Sequence, residues 1–281
     1  MSFPKLIARS LLNRIRVYER LRASYLYDLV CIATHSEAVS QRNSEVRFYS
    51  DLLTGFQKGD LVFDIGANHG CKTEVFLRLG ARVVAVDPDE SNEKVIEDRF
   101  LKYRIKKKPV AVVKKAVSDT NGLDTLWIYR PGAARNTLNP KWVRILESDP
   151  KRFGKQFDFA NSVTVETTTL DRLISIYGAP FFIKIDTEGH EINVLRGLSQ
   201  PVPFLSFEVN LPEFRDEGLA CIDLLEQLVP EGTFNYSIGD RPALVSKSWI
   251  VAEDLRKTLS KNDQKPVEVF WRSAGYSSNL R

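Results

Sequence analysis

The stretch Asp64-Ile65-Gly66-Ala67-Asn68-His69-Gly70 stands where the apolar run LVFDIG (61–66), typical of a buried strand, turns into a helix-like segment. Its two glycines permit a tight turn, and they let backbone approach a ligand more closely than a side chain would allow. In an open parallel sheet, ligands bind beside the carboxyl ends of the strands, which is where this turn lies. The stretch therefore predicts a parallel α/β sheet with a ligand-binding turn after its first strand.

An acidic residue follows the second strand-like run at the same predicted edge. Asp87 stands at the end of ARVVAVDP (81–88), 23 residues after Asp64. A carboxylate accepts two hydrogen bonds from a ribose diol and so fixes the orientation of the sugar. We therefore predict that Asp87 binds a ribose lying over the turn.

The spacing of the glycines argues against two other kinds of cofactor loop. The G-x-G-x-x-G fingerprint of nicotinamide dinucleotide sites, anchored at Gly66, needs glycine where this chain has Asn68 and Cys71. The sequence also has no G-x-x-x-x-G-K-[ST] phosphate loop. A dinucleotide site and a P-loop are both excluded on these grounds.

Strand-like and helix-like segments alternate along most of the chain. This regular alternation predicts βαβ units, and hence a doubly wound, mostly parallel sheet in a Rossmann-like α/β fold. The segments are LVFDIG (61–66), TEVFLRLG (73–80), ARVVAVDP (81–88), SNEKVIEDRFLKYR (91–104), VAVVKKAVSD (110–119), SVTVETTTL (162–170), LDRLISIYG (170–178), FFIKID (181–186), EINVLRGL (191–198), FLSFEVN (204–210) and CIDLLEQLV (221–229).

Residues 121–161, which we call the excursion, interrupt the alternation. Such an insertion commonly forms a wall or lid over a site. We predict an N-terminal helical extension (1–50) and one domain (51–281), with the substrate lid inserted at about 121–161. Aromatic, arginine and asparagine side chains in or beside the lid suit a glycan or another polar, ring-containing acceptor: Trp127, Tyr129, Arg130, Arg135, Asn136 and Trp142.

The composition is that of an ordinary globular protein. Of 281 residues, 43% are hydrophobic and 27% charged, which excludes a disordered or fibrous chain. The net charge of +4 is too small for a dedicated nucleic-acid binder, so no nucleic-acid partner is expected. Three scattered cysteines form no disulfide or zinc framework. We predict a cytoplasmic protein.

The first 22 residues carry six basic side chains and one acidic one, without the uninterrupted apolar core of a secretory signal. Helical periodicity brings Ile7, Leu11 and Ile15 near one face, while Arg9 and Arg16 lie off it. The pattern favours a helix that packs on the domain or pairs in a homo-oligomer. Peripheral contact with an anionic membrane surface stays open as the alternative.

Several motifs together resemble a known family. The pattern D-x-G-x-x-x-G, followed by an acid after the second strand, looks like the cofactor signature of class I S-adenosylmethionine-dependent methyltransferases. Four blocks that occur in order resemble the FkbM-type methyltransferases more closely, and the resemblance covers roughly residues 45–211: VFDIGANHG (62–70), TTTLDRL (167–173), KIDTEGHEINVLRG (184–197) and SFEVN (206–210). His69 departs from the pattern, since the family more often has a small or aliphatic residue there.

The resemblance implies methyl transfer from S-adenosyl-L-methionine to oxygen, typically a hydroxyl of a sugar or a polyketide-like small molecule. By position, it implies a methionine- and ribose-binding group of Asp64, Gly66, Asn68 and Gly70. It implies that Asp87 holds the ribose hydroxyls and that adenine is flanked by Val117 and Ser118, although a turn-and-cap role explains Ser118 nearly as well.

Methyl transfer to an alcohol needs a general base within hydrogen-bond reach of the hydroxyl. Asp186 directly ends a predicted strand on the same sheet edge as Asp87. His190 has a suitable pKa in its unperturbed state, but it lies in a turn that enters a helix. We predict Asp186 as the catalytic base and keep His190 as the second candidate.

Lys184 lies near the end of the same strand, and period-two alternation places it on the face of Asp186. Buried lysines are rare unless paired, so we expect an ion pair with an acid such as Glu208. Glu208 and Asn210 end the next predicted strand and, with Asp186, offer oxygen ligands of the kind that Mg²⁺ prefers. We predict no metal site and leave that alternative open.

Two other functions compete with hydroxyl methylation. An N- or RNA-directed methyltransferase can have the same fold, but the chain lacks an Asn-Pro-Pro-Tyr or Asp-Pro-Pro-Tyr segment and a basic stripe interleaved with stacking aromatics. The third interpretation of the sequence is a non-catalytic cofactor-binding or scaffold protein, since a fold does not establish a function.

Overall fold

The computed structural model describes residues 37–105, 110–239, 243–261 and 266–274. The predicted N-terminal extension falls largely on residues 1–36 and lies outside this part of the chain. The helices are α1 (Glu37–Leu52), α2 (Cys71–Leu79), α3 (Glu90–Ile105), α4 (Pro140–Ser148), α5 (Pro150–Phe153), α6 (Leu170–Tyr177), α7 (Glu191–Arg196), α8 (Arg215–Leu228) and α9 (Ala252–Lys261).

Ten strands form two sheets within the described residues. The strands are β1 (Leu61–Ile65), β2 (Arg82–Val86), β3 (Val110–Val113), β4 (Ala116–Val117), β5 (Gly122–Ile128), β6 (Asn161–Thr168), β7 (Phe182–Ile185), β8 (Phe204–Val209), β9 (Thr233–Ile238) and β10 (Val267–Arg272).

The main sheet has the strand order β3-β2-β1-β7-β8-β10-β9. Every neighbouring pair from β3 to β8 is parallel, and β10 runs antiparallel to both β8 and β9. This arrangement confirms the predicted doubly wound, mostly parallel sheet. The chain order reverses between β1 and β7, and such a switch point opens a crevice at the carboxyl ends of the strands.

The segment 110–119 differs from the single strand that its sequence predicts. Residues Val110–Val113 pair with β2 in the main sheet, whereas Ala116–Val117 pair with β6 in a small sheet of order β4-β6-β5. Lys114 and Lys115 lie between these two strands and are not buried. The chain passes from the main sheet to the small sheet at these two residues. Periodicity alone does not reveal this break, because the residues on either side are equally β-branched and apolar.

Hydrophobic residues cover both faces of the main sheet, which explains why its strands are apolar along their whole length. On one face, Phe63 and Ile65 pack with α6, α7 and α8. On the other face, Val62 packs with α2, α3 and the end of α1. Tyr49 of α1 is 1% exposed, and its ring centroid lies 5.1 Å from that of Phe76. Helix α1 is therefore part of the packed core.

Helices long and apolar enough to cross a bilayer are absent from the described ranges.

The turn after β1 meets the turn after β7 at Gly66. This glycine has a φ of +77°, and a Cβ built on it would lie 1.8 Å from the backbone oxygen of Asp186. Only a residue without a side chain permits this contact. The contact fixes the predicted cofactor turn directly against the backbone of the predicted catalytic aspartate.

We predict that Gly66→Ala lowers the free energy of unfolding by at least about 3 kcal/mol, because it adds a backbone clash to the strain of a left-handed residue. Gly154 is a matched control, since its φ is +70° and a Cβ there would meet nothing within 4 Å. Gly154→Ala should cost only the left-handed strain, roughly 1–2 kcal/mol. Urea unfolding of both variants measures the difference, and equal losses would contradict the proposed contact.

Candidate active site

A cleft of about 540 Å³ opens at the carboxyl edge of the main sheet, beside the switch point. Its walls come from the ends of β1, β2 and β7, from β4, and from residues 126–138 of the excursion. Six of the nine predicted site residues line it: Gly66, Asn68, Asp87, Val117, Asp186 and His190. Asp64, Gly70 and Ser118 are not among the lining residues.

Backbone hydrogen bonds hold the turn after β1 against the end of β2. The amides of Gly66 and Ala67 both donate to the carbonyl of Val86, at 2.9 and 3.1 Å. Asn68 has a left-handed φ of 47°, and its amide donates to Asp87 Oδ2 at 2.7 Å. Strained non-glycine residues of this kind cluster at functional sites.

The carboxylate of Asp87 is buried and highly connected. Its Oδ1 accepts hydrogen bonds from the Asp89 amide and from Asn92 Nδ2, both at 3.0 Å. Burial raises the pKa of Asp87 to about 6, although these bonds and the one from Asn68 oppose the shift. Among the described residues, Oδ2 receives a single hydrogen bond, so it retains capacity to accept a ligand hydroxyl.

Asp64 and Gly70 support the turn from behind the cleft. Asp64 is 1% exposed, and its Oδ2 accepts a 2.5 Å hydrogen bond from Thr73 Oγ1 on α2. Gly70 has a φ of +72° directly before α2, and a Cβ there would lie 2.7 Å from the ring of Phe100. Both residues therefore set where α2 begins relative to β1.

Ser118 and His190 form a pair beneath the cleft. His190 Nε2 lies 3.1 Å from Ser118 Oγ, and His190 Nδ1 lies 3.2 Å from Asn193 Nδ2. His190 is 5% exposed, and burial lowers the pKa of its imidazole. Both ring nitrogens are thus engaged by neighbouring polar groups in a neutral ring.

Asp186 occupies the end of β7 and is paired with the lysine two residues before it. Lys184 Nζ donates to Asp186 Oδ2 at 2.8 Å, and Lys184 is 4% exposed. The expected ion pair thus forms with Asp186 instead of Glu208, because residues two apart on a strand share one face. Burial raises the pKa of Asp186, but the Lys184 ammonium outweighs it and holds the pKa below the usual value.

Glu188 lies at the same predicted strand end as Asp186 and His190, where the sequence assigns it no role of its own. It has a left-handed φ of 54°, lines the cleft, and accepts hydrogen bonds from Arg135 Nη1 and Trp142 Nε1, both at 2.9 Å. These bonds attach the excursion to the turn after β7. The link joins residues about 50 positions apart, so no local pattern could have indicated it.

Asp89 makes a second attachment to the excursion. Its Oδ2 accepts from the Gly132 amide at 2.7 Å and from Asn136 Nδ2 at 2.8 Å. Asn68 Nδ2 also donates to the Gly132 carbonyl at 3.3 Å. Residues 130–136 are therefore pinned to the ends of β1 and β2, where they form one wall of the cleft.

Three carboxyl groups form an acidic cluster beside the cleft. One oxygen each from Asp186, Glu188 and Glu208 lies within 4.8 Å of the others, and such a set can hold a divalent cation. Burial and then the charges of Asp186 and Glu188 raise the pKa of Glu208 well above its usual value. Lys184 and Arg135 already pair with two of the three carboxylates, so the protein itself supplies much of the compensating charge.

The cleft suits a nucleoside-containing sulfonium cofactor. Apolar residues that can pack on an adenine ring belong to the same lining as Asp87: Val86, Val117, Leu126 and Leu138. Asn92 lines the same region, is 2% exposed, and its buried Oδ1 has no hydrogen-bond partner within the described residues. A ligand hydroxyl or amino group would satisfy that oxygen, so the residues present fit such a ligand.

The fold and the site together define the class of protein, a Rossmann-like class I methyltransferase. The features that define it are the reversed strand order, the glycine turn after β1 and the carboxylate after β2. The profile of the Methyltransferase FkbM domain matches residues 64–240, more than half of the chain. The chain belongs to this family, and it is an S-adenosylmethionine-dependent methyltransferase. The predicted family, enzyme class and cofactor are thereby confirmed.

Solved structures give weaker likenesses. A precorrin-6y C5,15-methyltransferase from Geobacter metallireducens is 9% identical, with a TM-score of 0.39, over 83% of this chain and 88% of that one. A putative rRNA methylase from Clostridium thermocellum is also 9% identical, with a TM-score of 0.42, over 82% of this chain and 94% of that one. These scores carry no argument about the acceptor. No curated protein sequence matches the chain significantly.

Glu191 holds the turn after β7 in shape. Its Oε1 accepts from the Thr187 amide at 2.8 Å, from Thr187 Oγ1 at 3.1 Å and from the Gly189 amide at 3.3 Å. It is 6% exposed, and burial raises its pKa to about 7. The folded protein therefore retains this proton at pH values where the unfolded chain has lost it.

The raised pKa of Glu191 predicts a pH-dependent stability. The protonated Glu191 carboxyl contributes to the free energy of unfolding. This contribution is fully present below about pH 4.5 and is lost as pH rises through 7. For a pKa shift of this size, the free energy of unfolding changes by about 3 kcal/mol. Glu191→Gln keeps the accepting oxygen but removes the titration. The difference in unfolding free energy between the two proteins should therefore shift in favour of the variant between pH 4.5 and 8. A difference that does not change with pH would contradict the buried carboxyl.

Proposed function

We propose that this methyltransferase transfers the methyl group of S-adenosyl-L-methionine to a hydroxyl oxygen of a small molecule or glycan. The observation that carries the proposal is Asp186, a carboxylate that lines the cofactor cleft while Lys184 holds one of its oxygens. A neutral hydroxyl is a weak nucleophile that must pass its proton to a base as it attacks, whereas a neutral amine attacks before it loses a proton. A positioned carboxylate beside the cleft therefore favours an oxygen acceptor.

The cofactor supplies an activated methyl group on a sulfonium, so the protein chiefly has to align and deprotonate the acceptor. In the proposal, Asp87 Oδ2 accepts a ribose hydroxyl, and Gly66 and Asn68 lie along the methionine and ribose portion. Val117 packs on the adenine, with Leu126 and Leu138 on the same wall. The pinned segment 130–136 forms one wall of the same cleft.

Asp186 is the proposed proton acceptor, through Oδ1. Lys184 donates to Oδ2 and keeps the group ionised, so the carboxylate is ready to accept a proton at neutral pH. His190 is less suited to this role, because its two nitrogens face Ser118 and Asn193. We assign His190 the positioning of Ser118 beside the adenine end of the cleft.

The aromatic residues of the excursion offer less to an acceptor than their sequence pattern indicates. Trp142 is 2% exposed and donates its indole N–H to Glu188. Tyr129 packs against Phe157, with ring centroids 4.8 Å apart. Since these side chains serve packing, the surface that recognises the acceptor is better sought elsewhere around Asp186.

We expect Asp87→Ala to weaken S-adenosylmethionine binding by roughly ten- to a hundredfold, the usual cost of losing hydrogen bonds to a charged group. Asp51→Ala is the control, because Asp51 is exposed on α1 and does not line the cleft. Isothermal titration calorimetry measures both affinities. Unchanged affinity in Asp87→Ala would refute the assignment of the ribose to Asp87.

Asp186→Asn should lower methyl transfer by about 10²- to 10⁴-fold while leaving cofactor affinity nearly unchanged, because an amide accepts no proton. His190→Gln should retain most of the turnover at saturating cofactor. The assay follows labelled methyl groups from S-adenosylmethionine into a small-molecule extract of the native host. Near-normal turnover of Asp186→Asn, or a larger loss in His190→Gln, would remove Asp186 as the base.

A further inference from the structure

A second cavity of about 760 Å³ lies between α1 and the carboxyl edge of the main sheet. Its lining comes from four parts of the chain: α1, the start of α2, the ends of β7 and β8, and the region where β9 ends and β10 begins. Its polar and aromatic lining includes Gln41, Glu45, Phe48, Lys72, Glu208 and Glu268.

Asp186 belongs to the walls of both cavities. The cofactor cleft reaches it from the β1 and β2 side, and the second cavity reaches it from the β8 and β10 side. A molecule in the second cavity can therefore present a group to Asp186 without displacing a cofactor from the first. Alignment of two reactants around one proton acceptor requires this kind of arrangement.

The charges of the second cavity disfavour an anionic occupant. Lys72 Nζ pairs with Glu45 at 2.7 Å, and Lys184 Nζ pairs with Asp186 at 2.8 Å. The two ammonium groups in the lining are thus already neutralised by carboxylates. Glu268 adds a further carboxylate, whereas burial raises the pKa of Glu208 well above its usual value. A phosphate or carboxylate ligand would meet the like charge of Glu268.

The same walls suit a hydroxyl-rich ring. Glu268 Oε1 accepts from Ser206 Oγ at 3.0 Å and from Tyr49 Oη at 3.4 Å, and a carboxylate has further capacity to accept from a ligand hydroxyl through Oε2. Gln41 adds an amide, which both donates and accepts. The ring of Phe48 supplies an apolar surface, braced edge-on by Phe270 at 5.5 Å between centroids.

We propose that the second cavity is the acceptor site, and that it binds a neutral polyhydroxylated ring, such as a pyranose, with one hydroxyl directed at Asp186. This inference rests on the proposed hydroxyl methylation and adds to it the location and chemical class of the acceptor. Glu45, Lys72 and Glu268 contact the other hydroxyls of the ring, and Phe48 packs on its apolar face.

A cavity-filling variant tests the location. Gln41 is exposed on α1 at the rim of the cavity, so Gln41→Trp adds bulk there without disturbing the core. Ser50 is also exposed on α1 but does not line the cavity, and Ser50→Trp is the matched control. The probes are a panel of neutral methyl hexopyranosides and glucose 1-phosphate, each titrated by ligand-observed NMR into the full chain with S-adenosylhomocysteine present.

At least one neutral glycoside should bind, and more tightly than glucose 1-phosphate. Gln41→Trp should weaken that binding by about tenfold or more, whereas Ser50→Trp should leave it unchanged. The inference is overturned if no glycoside binds, if the phosphorylated sugar binds more tightly, or if the two tryptophan variants behave alike.

Calorimetry with S-adenosylmethionine on the same samples separates this inference from the proposed function. Cofactor binding without glycoside binding removes only the acceptor class and site. Failure to bind the cofactor removes the proposed function itself. Gln41→Trp should bind the cofactor like the wild type, and a loss of cofactor affinity in that variant would show that the two cavities are not separate sites.

Discussion

The contact between Gly66 and the backbone of Asp186 is the constraint on which the active site depends. It brings the turn after β1 against the turn after β7, and those two turns carry the cofactor cleft and the proposed base. The Gly66 amide also donates to the Val86 carbonyl at the end of β2, so this one residue holds the ends of β1, β2 and β7 together. The side chains that these strand ends carry into the cleft are positioned in this way.

Electrostatics shape the edge once the backbone is set. Carboxyl groups concentrate there, and burial raises the pKa of Asp87 to about 6 and that of Glu191 to about 7. Lys184 acts in the opposite direction on Asp186 and lowers its pKa. One strand end thus has a carboxyl group that stays ionised to lower pH, while the neighbouring acids take up protons at higher pH than ordinary carboxyl groups do. Separation of pKa values among adjacent acids is a common way to assign distinct roles to them.

Local patterns predicted the fold and the part of the site built by neighbouring residues. The glycine turn and Asp87 could be found because strand, turn and acid follow each other closely in sequence. Attachments made over long distances could not be found this way: Asp89 binds Gly132, and Arg135 and Trp142 bind Glu188. The sequence also gave no sign that Asp64 would turn inward to Thr73. The sequence does not distinguish Asp64 from Asp87, because the packing of the folded chain determines which of the two side chains faces the cleft.

Asp186 lines two cavities that are bounded by different parts of the chain. The excursion lines the cofactor cleft, and helix α1 lines the second cavity. Residues 130–136 are pinned over the cofactor cleft by Asp89 and Asn68, whereas α1 forms one wall of the second cavity. The matched family profile begins at residue 64, so α1 lies before it. The wall from α1 belongs to the proposed acceptor side of Asp186.

A crystal structure with S-adenosylhomocysteine bound would show whether the cofactor occupies the cleft beside Asp87 and leaves the second cavity open to the acceptor. The ribose hydroxyls should lie within hydrogen-bond distance of Asp87 Oδ2, and adenine should pack on Val117. The sulfur should face Asp186, which lines both cavities. A cofactor product bound in the second cavity, or a ribose remote from Asp87, would contradict these assignments.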